Sequence, residues 1–307
     1  IILIYIIGSI IALIGTVVLI YYFKPQKKER IESIYTKALN AMIRGDSRTA
    51  LTHLRDVVKQ DTDHINAYLQ MGNILRSEDN PGAAKKIHQS LMVRPNLSKQ
   101  IRLDIHMALA LDFELIGDLL KAQNEAELVL KIDKKNLWAN EFLLSIFEKQ
   151  KNWDKATMIS KTVQRLKDYK DPDQIAKFLV FQGMNKLEKG LENEALSIFN
   201  KAVKTAPKYG LSYLRLGDYF SDKRDLTKAI ENWEKFAIYN PTKSYKVYSK
   251  IESALFDLGR FSEVEKFYER ILENDPLNLT ALAKLANVLE EKGDHRDALN
   301  LVDEALS

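Results

Sequence analysis

Along residues 31–307 the apolar positions recur every three or four residues, broken at short intervals by polar turn residues, which is the pattern of amphipathic helices about three turns long. The clearest register lies in residues 179–241, where Gly183, Ala195, Phe199 and Pro207 return 34 residues later as Gly217, Ala229, Trp233 and Pro241. A fixed period of that length describes a unit of two antiparallel helices. Glycine in the first helix and alanine in the second let two backbones approach closely, an aromatic fills the space beside them, and proline ends the second helix. One such pair cannot cover its own apolar face, so the pairs must stack.

With Tyr213, Leu216 and Phe220 around Gly217, the repeat matches the tetratricopeptide pattern. The register extends over the chain through a small residue at Ala50, Ala84, Ala122, Ala156, Ala195, Ala229, Val264 and Ala298, at intervals of 34, 38, 34, 39, 34, 35 and 34. The second repeat is well formed, with Tyr68, Met71, Gly72, Leu75, Ala84 and Pro95. The third and fourth lack the glycine. Two insertions, at 96–99 and at 167–173 with Pro172, are expected to lengthen turns without breaking the stack. The fold expected is all-α, a right-handed superhelical solenoid of about eight helix pairs over residues 31–307. The eighth repeat reaches Ser307 with no capping helix, and no methionine precedes Ile1, so a longer chain is expected at both ends.

Residues 1–23 carry no charge and are dominated by Ile, Leu and Val. At about 1.5 Å per residue they are long enough for a bilayer core of roughly 30 Å. A cleaved signal peptide would have a shorter apolar stretch and a small-residue cleavage site, whereas Tyr21, Tyr22 and Phe23 lead directly into charge. A single retained transmembrane helix is therefore expected, followed by a basic juxtamembrane linker at 24–30. Lys24, Lys27, Lys28 and Arg30 in that linker place the repeats in the cytoplasm by the positive-inside rule. The same cations could also touch anionic lipid.

The chain has a net charge of +4, with 46 basic and 42 acidic residues interleaved along the repeats. That is the distribution of solvated helix faces, and no basic stripe with stacking aromatics suggests a nucleic-acid partner. Cysteine is absent, which excludes disulfides and thiolate metal sites in these residues. His53, His64, His88, His106 and His295 show no metal-ligand spacing, and neither a phosphate loop nor a nucleophile elbow is present. No catalytic residue, metal or cofactor is expected, and the chain reads as a non-enzyme.

More specific is the run Gly72, Asn73, Arg76 followed by Ile87, His88, Gln89 and Leu91, written GN-x-x-R and IHQ-x-L. It resembles the second repeat of the lipopolysaccharide assembly protein B family. The likeness continues through Arg102 and Leu103, Ala122 and Glu125, and Trp153 to Ala156, and the order of membrane helix, basic linker and repeats is the same. The resemblance implies an inner-membrane adaptor of Gram-negative-type bacteria. Such an adaptor restrains lipopolysaccharide synthesis by linking the lipid A deacetylase to a membrane AAA+ metalloprotease, and gathers assembly factors. Its partners would thus be a membrane protease and a lipopolysaccharide-synthesis enzyme. The family also ends in a rubredoxin-like module with two CxxC pairs, and these residues contain no cysteine; either that module lies beyond Ser307, as the uncapped eighth repeat suggests, or this is a relative that has lost it. The alternative is a membrane-anchored tetratricopeptide scaffold or receptor unrelated to lipopolysaccharide.

Four residues are candidate partner contacts. Asn73 and Arg76 lie one turn apart on a first helix and could hold a carboxylate or backbone of a partner, with pairing of Arg76 to Glu78 or Asp79 as the structural alternative. Gln89 and Arg102 are the other two. His88 takes the position of Phe199 and Trp233 and is expected to pack between helices with a polar edge bonded. Trp138 and Trp153, flanking the fourth repeat, are expected to be structural. Gly72, Ala84, His88, Gly183, Ala195, Phe199, Pro207, Gly217, Ala229, Trp233 and Pro241 are the structural repeat positions.

Overall fold

The structure, a computed structural model, describes residues 30–306. The expected transmembrane helix, and the linker up to Arg30, lie outside these residues. Among the described residues no helix is long and apolar enough to cross a membrane.

Sixteen α-helices follow one another there, in eight pairs. The first helices of the pairs are α1 (Ile31–Ile43), α3 (Ile65–Ser77), α5 (Lys99–Ile116), α7 (Leu137–Lys149), α9 (Pro172–Glu188), α11 (Gly210–Asp222), α13 (Tyr245–Asp257) and α15 (Leu279–Lys292). The second helices are α2 (Ser47–Gln60), α4 (Pro81–Met92), α6 (Leu119–Ile132), α8 (Trp153–Leu166), α10 (Glu192–Thr205), α12 (Leu226–Tyr239), α14 (Glu263–Asn274) and α16 (His295–Leu306). Every residue at the alanine register position is buried, Val264 included. Helices α10 and α12 stop two residues before Pro207 and Pro241.

Polar side chains set the helix starts. Asp46, Asn80, Asn136, Asn152, Asp171, Asp225 and Asn278 each accept a hydrogen bond from the backbone N–H three residues on. His64 does the same through Nδ1, 3.1 Å from the Ala67 nitrogen. Each turn within a pair contains one residue in the left-handed region: Gly45, Asp79, Gly117, Lys151, Gly190, Arg224, Gly259 and Gly293 in order. Three of these are not glycine and carry the steric cost of a Cβ there.

The two insertions do something other than extend turns. Helices α5 and α9 run to 18 and 17 residues, against 13 or 14 for the other first helices. Most of the added chain is therefore wound into helix. Ser98 and Asp171 cap the new N-termini, and Pro172, with no N–H to lose, occupies the first helical position of α9.

The chain divides into two compact units, Ile1–Ala122 and Gln123–Ser307. In the first, α1 to α5 pack each on the next, and α3 also touches α5. Its core among α1, α2 and α3 is built from Ile34, Ala38, Ala41, Ala50, Leu54, Val57, Ala67 and Ile74, and farther along Leu91, Ile105, Leu109 and Phe113 are buried. In the second, α7 to α16 pack in the same neighbour-on-neighbour order, and the core grows aromatic toward its C-terminal part, where Trp233, Phe236, Tyr248, Phe267 and Tyr268 interlock. Each of these large side chains contributes roughly 1.5–3 kcal/mol by burial. Trp153 stacks on Phe178 and meets Phe181 at a tilt, and Trp138 stacks on Phe142.

The glycine register position has a direct physical meaning. A Cβ on Gly183 would lie 2.5 Å from the Phe199 ring, and one on Gly217 would lie 2.3 Å from the Trp233 ring. A Cβ on Gly72 would meet His88 Nε2 at 2.2 Å. His88 thus occupies the aromatic slot of its own helix pair.

Candidate functional site

The residues singled out by GN-x-x-R and IHQ-x-L converge in the first unit. Asn73 and Arg76 share one face of α3, where residues three apart are neighbours, and Arg76 Nη2 donates to Asn73 Oδ1 at 2.8 Å. Arg76 Nη1 crosses to α5 and donates to Asp112 Oδ1 at 3.1 Å and to the Ala108 carbonyl at 3.3 Å. The other carboxylate oxygen of Asp112 lies 2.5 Å from His88 Nδ1 on α4, and His88 Nε2 lies 3.2 Å from the Leu69 carbonyl. Both ring nitrogens thus face oxygen acceptors, and both can donate when the ring is doubly protonated. His88 and Asp112 are completely buried, and the Arg76 side chain is 16% exposed.

One carboxylate therefore ties together α3, α4 and α5. A charge buried so deeply is tolerated only when its hydrogen bonds are complete, and here two cation-capable side chains supply them. Arg76 reaches Asp112 rather than Glu78 or Asp79, which lie at the exposed end of α3. Asp112 is the residue that sequence reasoning missed. Its signal was an acid inside the otherwise apolar run 108–113.

Asn73 lies at the edge of the network. Its Nδ2 is 3.4 Å from Gln70 Oε1, and it borders a cleft of about 290 Å³ between α1 and α3, lined also by Met42, Gly45, Ser47, Ile74 and Ser77. Gln89 on α4 and Arg102 on α5 are exposed and take no part in the network.

The second unit carries a related arrangement that the sequence reading did not single out. Asp218, next to Gly217, accepts from Trp233 Nε1 at 3.1 Å, from Lys250 Nζ at 2.6 Å and from Arg215 Nη1 at 3.2 Å. In the next pair Glu252 accepts from the Tyr268 hydroxyl at 2.6 Å and from Lys284 Nζ at 3.1 Å. Burial first, and then this carboxylate, raise the Tyr268 phenol above its ordinary pKa. Lys250 and Lys284 stand 34 residues apart, so the spacing of the repeat is also the spacing of these ion pairs. A cleft of about 510 Å³ opens beside Asp218, Ser221, Ser249, Lys250 and Ser253, on the first helices α11 and α13. Among the described residues no cluster of three or more His, Asp or Glu side chains is placed to hold a metal.

The chain is similar to lipopolysaccharide assembly protein B of Escherichia coli K12, with 22% identity over 269 residues, covering 88% of this chain and 69% of that protein. It is 26% identical over 271 residues to the protein of the same name from Haemophilus influenzae, covering 84% and 67%. The family resemblance drawn from GN-x-x-R and IHQ-x-L is met by relatives bearing that name. No protein-family model matches the chain. Among solved structures, the Naa15/Naa10 complex bound to HypK-THB aligns with a TM-score of 0.50 at 13% identity, covering 85% of this chain and 39% of that one. A tetratricopeptide repeat protein from Parabacteroides merdae aligns at 0.43 and 14% identity, covering 84% and 98%. None of these likenesses points to a catalytic family.

Proposed function

We propose that this chain is a tetratricopeptide adaptor of lipopolysaccharide assembly, acting by recruiting proteins rather than by catalysis. The observation that carries the reading is the similarity to lipopolysaccharide assembly protein B over more than four fifths of the chain. The polar first-helix clefts give it a physical means. In the first unit the Asp112 network fixes α3 against α4 and α5, so that Asn73 and the cleft beside it are held in one arrangement before a partner arrives. A preorganised surface loses less conformational entropy on binding. Because both terminal nitrogens of Arg76 are occupied internally, its part is to position Asn73, and the exposed Gln89 and Arg102 are contacts of their own.

In its finer form, the proposal is that the chain stands at the bacterial inner membrane with its repeats in the cytoplasm, anchored by residues 1–23. There it brings the lipid A deacetylase to a membrane AAA+ protease. The test is to deplete the full-length protein and follow the deacetylase. Its half-life lengthens on depletion and is restored by the wild-type chain, but only partly by Asn73→Ala combined with Gln89→Ala and Arg102→Ala. Crosslinking from membranes that recovers neither a protease nor an envelope-synthesis enzyme would replace this reading with that of a scaffold unrelated to lipopolysaccharide.

A further inference from the structure

A different surface, in the C-terminal part of the second unit, shows apolar groups to solvent where a stack of helix pairs does not need them. Phe256, at the end of α13, and Phe261, in the turn just before α14, are 52% and 59% exposed, with ring centroids 5.2 Å apart. Leu258, in the turn between them, is 39% exposed. The two rings form one wall of a cleft of about 630 Å³ that runs between α14 and α15, with Val264 and Val288 on its floor. Scattered surface leucines are ordinary; a pair of touching phenylalanines at the mouth of an apolar cleft is the kind of patch that marks an interaction site.

Charge identifies what fits. The rim holds Glu265, Glu269 and Glu291 against Lys266 and Lys292, and Lys292 is already bound by Glu265 and Asp294. Glu269 and Glu291 are exposed. The segment that supplies this lining is more lopsided still: residues 251–307 contain 13 acidic and 6 basic side chains, whereas residues 1–250 contain 40 basic and 29 acidic. Residues 251–307, which supply the whole lining of the cleft, are thus net acidic. Greasy walls with an anionic rim complement a helix that carries an apolar stripe flanked by cations, and they repel its acidic counterpart.

We infer that the cleft between α14 and α15 docks a basic amphipathic helix of a partner protein, with Phe256 and Phe261 gripping the apolar stripe and Glu269 and Glu291 pairing with the flanking lysines or arginines. This docking does not rest on the lipopolysaccharide reading and fails or stands separately from it.

The probe is an 18-residue helix-forming peptide with leucines at i, i+3, i+4 and i+7, lysines on both flanks and a benzophenone photocrosslinker, together with the same peptide bearing glutamates for lysines. Each is titrated onto the full chain in discs of zwitterionic lipid, with empty discs as blank, and the crosslinked residues are mapped by mass spectrometry. The lysine peptide crosslinks within residues 256–292 and binds at least about tenfold more tightly than the glutamate peptide. Phe256→Ser with Phe261→Ser lowers its affinity about tenfold or more, the loss of two apolar anchors, and Glu269→Gln with Glu291→Gln lowers it severalfold. All four side chains are exposed or on the rim, so circular dichroism and the unfolding midpoint stay at the wild-type values. Equal binding of the two peptides, or binding that survives the phenylalanine variant, overturns the inference. So does self-association of the chain that the phenylalanine variant abolishes, because a second copy is then the occupant.

Discussion

The same slot between two helices of a pair is filled in one unit by His88 over Gly72 and in the other by Phe199 over Gly183 and Trp233 over Gly217. Phe199 needs nothing beyond contact. Trp233 keeps a single polar tip and gives it to Asp218, a carboxylate still open to solvent on one side. His88 is polar on two sides, and its presence obliges a buried acid on the next helix and a guanidinium to neutralise it. The lesson is that the repeat specifies a volume, while the chemistry filling it decides how many neighbouring helices become interdependent. A hydrocarbon couples two helices and this histidine couples three.

Removing one member of either buried set has the largest expected effect. Asp112→Ala leaves two donors facing a void and should cost about 3–5 kcal/mol, as should Phe199→Ala by cavity formation, both read from the shift in urea unfolding. His88→Phe alone should cost about 2–3 kcal/mol although phenylalanine fits the equivalent slot elsewhere, because Asp112 and the Leu69 carbonyl lose their partner. The triple change Arg76→Leu, His88→Phe and Asp112→Leu should recover most of that loss, since a well-packed apolar set replaces a buried ionic one at little cost. If the triple variant unfolds as readily as Asp112→Ala, then the slot needs more than volume. Gly217→Ala should cost about 1–3 kcal/mol in spite of alanine's better helix propensity, because the Trp233 ring has to move. Asp218→Asn should change stability by about 1 kcal/mol or less, its ion pairs being partly solvated. Smallest and opposite in sign, Arg224→Gly should gain about 0.5–1 kcal/mol by relieving a left-handed backbone that glycine adopts freely.

Much of this was legible beforehand. Ala195, Ala229 and their counterparts reveal helix pairs because close backbone approach demands a small side chain at a fixed interval. The aromatic at the following turn is equally readable, since it must fill the space that the glycine leaves. The insertions were misread because counting residues gives the length of added chain and not its conformation; that was decided by Ser98, Asp171 and Pro172, which are good helix starters. The Asp112 network was out of reach for another reason. Arg76 had acids two and three residues away, and its actual partner lies 36 residues on, selected by how three helices are packed. Asp218 and Lys250 are likewise ordinary surface residues until the stack places them side by side.

The left-handed residue closing the turn within every pair has a consequence for how the chain acquires its structure. Each hairpin joins segments only a few residues apart, so its loop closes at small entropic cost and without waiting for distant parts of the polypeptide. A chain emerging from the ribosome can thus assemble pair by pair, each completed hairpin offering its bare flank as the template for the next.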